Sequence, residues 1–223
     1  MPDKREAVRL SDVFFAYPKN VAFSLDVPEL AFASGECAAL VGYNGSGKTT
    51  LGKLIAGIIR PSRGRVLLDG EDIADWPLGK IGGKIGYLFQ EPSRQIFAPT
   101  VLEDITLPLT LKGMDEEQAQ ELARSMLVRF EMEPLENAIT FTLSRGEKQR
   151  LAIISMLVNE PGFIVLDEPT TGLDARRKNI LGDMLRQLVG EDVGILLISH
   201  DIAFVKLYAS AVCRMNEGKV IAA

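Results

Sequence analysis

Alternating and continuous runs of apolar residues along the chain predict an α/β fold. Residues 8–17 alternate apolar and polar side chains, and residues 23–32 do so less regularly, with Pro18, Lys19 and Asn20 as turn residues between them. Such alternation is typical of paired antiparallel strands with one buried face. Further strands are predicted at residues 38–41, 64–70, 85–89, 163–166 and 195–198. The last two are continuously apolar, as strands buried on both faces of a parallel sheet require.

Apolar residues at helical spacing predict helices after several of these strands. The first helix follows residues 38–41 and is expected to end near Arg60-Pro61, because proline cannot continue a helix. Residues 119–130 and 180–188 each carry one apolar face, and Asp174 is suited to cap the second of these two helices.

The sequence pattern changes at Glu91, where the first series of strand-like runs ends. Pro92, Pro99 and Pro108 are expected to interrupt a loop-rich passage, after which helical patterns follow. We therefore predict one domain over residues 1–223, with an α/β core at residues 1–90 and 158–223. Residues 91–157 are predicted to form a helical insertion in that core.

Composition and charge narrow the classes of function. The 223 residues carry a net charge of −5, so the chain has no overall basic field that would favour nucleic acid. No apolar run approaches the roughly 18 residues that a membrane span needs, and the first ten residues lack the apolar region of a signal peptide. We expect a cytoplasmic chain, whose link to a membrane would come through a partner. Cys37 and Cys213 have no metal-ligand spacing and are expected to be buried thiols rather than a disulfide.

A glycine-rich loop at residues 42–50 carries the strongest chemical signal. It matches the pattern G-x-x-x-x-G-K-[ST] and lies between a predicted strand and a predicted helix, which is the context that a phosphate-binding loop requires. Glycines let backbone N–H groups surround phosphate, and the helix N-terminus adds positive potential. Lys48 is predicted to reach the β- and γ-phosphates, and the Thr49 hydroxyl is predicted to bind Mg²⁺. The predicted nucleotide-binding residues of the loop are Asn44, Gly45, Ser46, Gly47, Lys48, Thr49 and Thr50.

Polar groups at the ends of the other strands are candidates for the chemistry, because ligands of open α/β sheets lie beyond the carboxyl ends of the strands. Asp167 ends an apolar strand and is predicted to hold Mg²⁺, and Glu168 is placed to polarise the attacking water. His200, the single histidine, follows another buried strand and could donate to the γ-phosphate or to that water. Gln90 could supply an amide oxygen to Mg²⁺ or to water. Taken alone, His200 and Gln90 are also compatible with purely structural roles.

Residues 142–150, with the sequence T-L-S-R-G-E-K-Q-R, resemble the signature motif of ABC-type ATPases. Ser144 and Glu147 also form a capping box at the start of a helix, and a capped helix N-terminus with Gly146 is itself a phosphate-binding surface. In that family this surface meets the γ-phosphate held by the opposite subunit. The resemblance therefore implies that two chains close head to tail around two ATP molecules.

The resemblance covers nearly the whole chain and implies roles for residues that are ambiguous alone. Tyr17 could be an edge aromatic, and by family pattern it stacks on adenine. The remaining implied roles are a loop glutamine at Gln90, a Walker-B acid at Asp167, a catalytic base at Glu168, a D-loop residue at Asp174 and a switch histidine at His200. The implied fold is a P-loop NTPase (RecA-like) core with an antiparallel β subdomain and an inserted α-helical subdomain.

Residues 89–101 resemble the corresponding loop of energy-coupling factor (ECF) ATPases, a class that includes cobalt and nickel importers. This resemblance implies an ATPase that uses ATP and Mg²⁺, sits on the inner face of the cell membrane and powers uptake of a vitamin or transition-metal ion. Its partners would be transmembrane subunits and a second ABC ATPase, either another copy or a homologue. Two features depart from the class: Tyr43 is uncommon in the phosphate loop, and the chain ends soon after Gly218-Lys219, where many relatives carry a dimer-stabilising segment.

Two alternatives to the ECF interpretation stay open at this point. One is an ATPase of another ABC importer or an exporter. The other is a soluble ABC protein acting on nucleic acid or the ribosome, a class that usually has two nucleotide domains or long coiled-coil insertions. This chain has a single set of motifs, no heptad run and an acidic balance. The cargo is not encoded in the chain, because membrane subunits recognise it in such systems.

Overall fold

The computed structural model describes residues 5–18 and 23–221 of the chain. Lys19 and Asn20 of the predicted turn lie outside the described residues, as do residues 1–4 of the N-terminal segment. Within the described residues, ten strands form one sheet in the order β5-β4-β1-β2-β10-β9-β3-β8-β7-β6. The strands are β1 (Glu6–Ala16), β2 (Ser24–Ala33), β3 (Cys37–Gly42), β4 (Arg63–Leu68), β5 (Glu71–Asp72), β6 (Ile85–Leu88), β7 (Phe163–Asp167), β8 (Gly194–Ile198), β9 (Ala211–Asn216) and β10 (Lys219–Ile221).

The sheet has a parallel part and an antiparallel part. Strands β9, β3, β8, β7 and β6 run parallel, and β3, β7 and β8 are almost fully buried. Strands β2, β1, β4 and β5 pair antiparallel, and β10 joins the two parts by pairing with β2 and β9. The alternating and continuous apolar patterns therefore predicted both kinds of strand correctly, and the predicted α/β fold is confirmed.

Helices cover both faces of this sheet. They are α1 (Lys48–Ile55), α2 (Leu78–Gly82), α3 (Val101–Leu111), α4 (Glu116–Arg129), α5 (Arg145–Leu157), α6 (Ala175–Gly190) and α7 (Ile202–Tyr208), with short 3-10 helices at Pro92–Gln95, Glu133–Leu135 and Thr140–Thr142. One hydrophobic cluster packs helices α3, α4, α5, α6 and α7 against the sheet face that carries Ala39 and Leu166. A second cluster joins α1 and the antiparallel strands to the face that carries Leu40 and Val165. Consecutive strand residues thus enter opposite cores, as the period of a β-strand requires.

The predicted end of the first helix was wrong. Helix α1 ends at Ile55, and Gly57 follows in the left-handed conformation with φ 65°. The N–H of Gly57 donates to the Leu54 carbonyl at 3.1 Å, and the N–H of Ile58 donates to the Lys53 carbonyl at 2.9 Å. These two bonds form a Schellman motif, so a glycine ends the helix before the chain reaches Pro61.

The predicted loop at Pro108 was also wrong, because this proline lies inside α3. Thr100 and Glu103 form a capping box at the start of α3, which fixes the first turn of the helix. The buried side chains of Val101, Ile105 and Leu109 then anchor α3 to the core. Capping and burial together keep a helix that the proline alone would interrupt.

Other observations complete the fold. Residues 91–157 contain α3, α4, α5 and the three 3-10 helices, while their division from the core as a separate helical subdomain stays a prediction. Strands β9 and β10 and helix α7 have no counterpart among the predicted elements. Cys37 and Cys213 are free thiols, as predicted, but only Cys37 is buried, because Cys213 is half-buried. Burial raises the pKa of Cys37 to about 12. In the described part of the chain, no helix combines the length and apolarity needed to cross a membrane.

Candidate nucleotide-binding site

The glycine-rich loop connects the buried end of β3 to the N-terminus of α1. Gly47 precedes the first helical residue with φ 109°, and a Cβ atom there would lie 2.9 Å from both Met215 and Phe23 side-chain atoms. A residue with a side chain would therefore be strained and crowded at this position. The glycine lets the loop fold closely over the sheet, which leaves the first N–H groups of α1 facing the loop's concave side.

Lys48 crosses the mouth of this loop. Its ammonium group donates to the backbone carbonyls of Gly42 at 2.8 Å and Tyr43 at 3.0 Å. Burial lowers the pKa of Lys48, an effect that the nearby carboxylates of Glu168 and Asp167 oppose. A buried ammonium group at the N-terminus of a helix is a strong attractor for phosphate oxygens. Tyr43 is exposed to solvent.

A cleft of about 690 Å³ opens next to the loop and collects most of the predicted site residues. Its lining includes Tyr17, Asn44, Gly45, Gly47, Lys48, Thr49, Thr50, Gln90, Glu168 and His200. Ser46 does not line the cleft, because its side chain is buried under the loop, where its hydroxyl has no hydrogen-bond partner among the described residues. Phe23 and Thr171 also line the cleft and were not predicted.

Two aromatic side chains form the outer wall of the cleft. Tyr17 is about one third exposed, and its hydroxyl lies 3.2 Å from the Thr50 hydroxyl. Its ring meets Phe15 edge-on at 4.8 Å between centroids and lies 6.2 Å from the ring of Phe23. Phe23 is the residue before β2, and an aromatic side chain at that place was the available signal. The two rings give the cleft an apolar wall of the kind on which a base can stack.

Asp167 lies at the carboxyl end of β7, 2% exposed, beside the base of the loop. Its Oδ1 accepts a hydrogen bond from the Thr49 hydroxyl at 3.2 Å, and its Oδ2 accepts one from the Tyr87 hydroxyl at 3.0 Å. Burial raises the pKa of Asp167, whereas these hydroxyls and the charges of Lys53 and Lys48 lower it. The contact with Tyr87 was missed, since a tyrosine within an apolar strand suggests only core packing.

The three predicted metal ligands lie around one opening. A second cleft, of about 510 Å³, is lined by Thr49, Gln90 and Asp167, and the first two also line the nucleotide cleft. A hydroxyl, an amide and one carboxylate are the oxygen donors that Mg²⁺ takes when phosphates and water supply the rest. The side chains present therefore fit a magnesium ion shared with a nucleotide.

Glu168 and His200 meet at the far side of the nucleotide cleft. Glu168 has φ 54°, a conformation that non-glycine residues seldom adopt and that often marks functional sites. His200 Nε2 lies 3.3 Å from Glu168 Oε1, but without hydrogen-bond geometry, so this buried oxygen has no hydrogen bond within the described chain. Burial raises the pKa of Glu168, and the contacts with His200 oppose that rise. Glu168 itself lines the nucleotide cleft, although its Oε1 is shielded from solvent.

The signature residues do not line this nucleotide cleft. Ser144 and Glu147 form the predicted capping box of α5, and the hydrogen bonds from Ser144 lower the pKa of Glu147. Gly146 packs against Arg177 of α6. Asp174 caps α6 as predicted, accepting from the Arg177 N–H at 2.8 Å. One chain therefore brings the loop and strand-end residues together, and leaves Ser144, Gly146, Glu147 and Asp174 outside the cleft.

Comparison with known proteins adds to this geometry. The family model described as ABC transporter matches residues 25–171. The energy-coupling factor transporter ATP-binding protein EcfA of Methanothermobacter thermautotrophicus is 37% identical over 218 residues, which cover 96% of this chain and 70% of that protein. Three other curated relatives, all described as putative ABC transporter ATP-binding proteins, are longer, and the chain spans only 31% to 39% of their length.

The chain is also similar to solved structures of ABC transporter ATP-binding proteins. The structure of cbiO1 from Clostridium perfringens, described as part of the ABC transporter complex cbiONQ, superposes with a TM-score of 0.87. It is 33% identical, and the match covers 98% of this chain and 88% of that one. The ATP-binding cassette MJ0796, solved as a dimer bound to ADP and Pi, superposes with a TM-score of 0.84 at 28% identity, covering 96% of both chains.

Proposed function

This chain belongs to the ABC transporter ATP-binding family, and from that premise we propose that it is the ATP-hydrolysing subunit of an importer of the ECF type. The observation that carries the proposal is the single cleft in which Lys48, Thr49, Gln90, Glu168 and His200 converge. The similarity to EcfA and cbiO1 supports the ECF class. A vitamin or a transition-metal ion is the cargo we propose for such an importer.

ATP binding would use the loop and the aromatic wall. The triphosphate would displace the Gly42 and Tyr43 carbonyls from the Lys48 ammonium group, which now donates to both. Adenine would stack on Tyr17, which flanks the cleft. Thr49, Gln90 and Asp167 would hold Mg²⁺, which neutralises charge on the β- and γ-phosphates when bound.

Hydrolysis would rely on the carboxylate of Glu168, which lines the cleft. A water molecule hydrogen-bonded to the Glu168 carboxylate would lose a proton to it as the water oxygen attacks the γ-phosphorus. The bond from phosphorus to the β,γ-bridging oxygen breaks, so that ADP carries away the electron pair and inorganic phosphate forms. His200, beside the same carboxylate, would orient the water or donate to a γ-phosphate oxygen.

A second ATPase chain would complete the site. Ser144 and Gly146 lie at the N-terminus of α5 and, together with Asp174, outside their own nucleotide cleft. We place them against the γ-phosphate bound by a partner, which is another copy or a homologous subunit. ATP would contact both chains only when they are closed, so its binding favours closure by that differential affinity. The dimeric MJ0796 cassette supports this arrangement.

The membrane partner would dock on the surface that carries the side chains of Phe97 and Phe141, which are 76% and 86% exposed. Thr140 ties their two segments together, with its hydroxyl donating to the Ala98 carbonyl at 2.8 Å and its N–H donating to the Pro99 carbonyl at 2.9 Å. Exposed aromatic residues on hydrogen-bonded neighbouring segments are typical of protein interfaces. The ATPase would therefore lie peripherally on the inner face of the membrane.

Affinity purification of tagged Glu168→Gln chain from solubilised membranes, with ATP and Mg²⁺, tests this proposal. We expect a multi-helix membrane protein to co-purify, and its companions would narrow the cargo. The matched control combines Glu168→Gln with Phe97→Ser and Phe141→Ser, which should keep ATP binding and lose the membrane protein. Recovery of ribosomes or nucleic acid, or of no membrane protein, would favour a non-transport ABC ATPase. Recovery of an unrelated transporter class would retain the ATPase and reject the ECF assignment.

A further inference from the structure

Tyr87 and Asp167 are brought together by the register of two parallel strands. In the β6–β7 pair, Tyr87 lies opposite Val165, so both side chains point to the same face of the sheet. Asp167 lies two residues beyond Val165, and its side chain therefore points to that face as well. The hydroxyl of Tyr87 reaches diagonally across to the Asp167 carboxylate, where it donates to Oδ2 at 3.0 Å.

The surroundings of Tyr87 favour this contact over others. Tyr87 is 9% exposed, and its ring packs edge-on against Phe89 at 4.8 Å between centroids. Gly52 of α1 lies beside the ring, where a Cβ atom would be in ordinary van der Waals contact with Tyr87 Cε2 at 3.4 Å. A buried hydroxyl needs a partner, and here the partner is the carboxylate.

The two oxygens of Asp167 are thus assigned to different donors. Oδ2 is held by Tyr87 on the side of the core, while Oδ1 accepts from Thr49 on the side of the second cleft. A carboxylate with a single donor could rotate about its terminal torsion, which is broad for aspartate. A second donor on the opposite oxygen restricts that rotation.

We propose that Tyr87 is a positioning residue for Asp167, holding Oδ2 so that Oδ1 is presented to Thr49 and to the Mg²⁺ of a bound nucleotide. The inference rests on the proposed function, because it assumes that Mg²⁺ binds beside Asp167. It differs from a core-packing role, since packing requires only the ring, whereas positioning requires the hydroxyl. Tyr87→Phe keeps the ring and removes the hydroxyl, and so separates the two.

The test measures the affinity of a fluorescent ATP analogue in EDTA and across a range of Mg²⁺ concentrations. For Tyr87→Phe we expect unchanged affinity in EDTA, which also shows that the chain is folded. The Mg²⁺ concentration that gives half of the metal-dependent gain in affinity should rise about tenfold, as expected for losing a hydrogen bond to a charged group. Tyr208→Phe is the matched control, because Tyr208 packs against Phe204 away from the nucleotide cleft.

A double-mutant comparison distinguishes positioning from a diffuse structural effect. If Tyr87 acts through Asp167, then adding Tyr87→Phe to Asp167→Asn should change the Mg²⁺ dependence no further. A Mg²⁺ dependence of Tyr87→Phe equal to that of Tyr208→Phe would overturn the inference and leave the proposed function standing. If Mg²⁺ had no effect on nucleotide binding by the unmodified chain, the metal site itself would be wrong, and the inference would fail with it.

Discussion

The backbone N–H of His200 donates to Oε2 of Glu168 at 3.3 Å, while the imidazole Nε2 of His200 lies 3.3 Å from Oε1 of the same carboxylate. Strand register explains this pairing. Asp167 lies opposite Ile198 in the β7–β8 pair, and the Glu168 N–H donates to the Ile198 carbonyl at 2.9 Å. The residues just after the two strands must therefore face each other. The charge of His200 therefore lowers the pKa of the Glu168 carboxylate.

ATP turnover should show an acid limb above the ordinary glutamate pKa of 4.5, because burial raises the pKa of Glu168. The base works only when ionised, so the rate falls as the pH falls through the raised pKa. The charge of His200 lowers this pKa, and His200→Ala should therefore move the limb to higher pH while reducing turnover roughly 100-fold. Steady-state rates of both proteins against pH check this. A limb that moved to lower pH in His200→Ala would contradict it.

Glu168→Gln should stabilise the nucleotide-free chain at neutral pH. Because the pKa of Glu168 is raised in the folded state, its contribution to stability is fully present below 4.5 and is lost as the pH rises through the folded pKa. The variant avoids that loss, so its unfolding temperature should exceed that of the parent at pH 7, and the difference should shrink in acid.

Asp201→Asn is the opposite-sign control for this thermal experiment. The hydrogen bond from Lys178, 2.6 Å long, lowers the pKa of Asp201. Its carboxylate therefore contributes stability above the ordinary pKa, and that contribution is lost as the pH falls through the folded pKa. The asparagine variant should be less stable than the parent at pH 7 and approach it in acid. Equal shifts of the same sign in both variants would reject the electrostatic explanation.

Tyr17 and Phe23 should differ in their effects on ATP affinity. Loss of a stacking ring weakens base binding by roughly 1–3 kcal/mol, so Tyr17→Ala should weaken ATP binding roughly 5- to 140-fold. Tyr17→Phe should retain most of the affinity, because it loses only the contact of its hydroxyl with Thr50. Phe23→Ala should have a smaller effect if Phe23 only supports the Tyr17 ring. Titration with ATP and with inorganic triphosphate checks this, since the triphosphate should bind all variants equally.

The sequence predicted those parts of the site that lie at the ends of strands. Lys48, Asp167 and His200 each follow a continuous apolar run, and in parallel sheets such ends meet at one edge. Their placement together around the clefts agrees with that expectation, while their chemical roles stay predictions. Ser144 and Asp174 could be recognised as helix caps from sequence alone, because capping depends only on neighbouring residues.

Contacts that depend on the register between strands far apart in the sequence were not predictable in this way. Tyr87 and Asp167 are far apart in the chain, and nothing in the apolar pattern of β6 distinguishes a packing tyrosine from one that holds a carboxylate. The predicted end of α1 was wrong for a local reason, since Gly57 adopts the left-handed conformation and ends the helix before the chain reaches Pro61. The predicted interruption at Pro108 was wrong for the opposite reason, because burial of α3 outweighs the local preference of proline.

Gly182 and Gly190 lie in the same helix, α6, and should respond in opposite ways to alanine. A Cβ atom on Gly182 would overlap the ring of Tyr208, which is held by Phe204 at 4.5 Å and by Arg186 at 4.5 Å. Gly190 has open space around its Cβ position and no positive φ.

We expect Gly182→Ala to lower the free energy of unfolding by about 1–3 kcal/mol, because the ring and α7 must shift. Gly190→Ala should leave it unchanged or raise it by up to about 1 kcal/mol, since alanine restricts the unfolded chain and favours helix. Urea unfolding of both variants measures the difference, and ATP titration in the absence of urea shows whether the cleft remains intact. If Gly182→Ala proved as stable as Gly190→Ala, the Tyr208 ring would be free to move, and the close packing of α6 against α7 would not hold in solution.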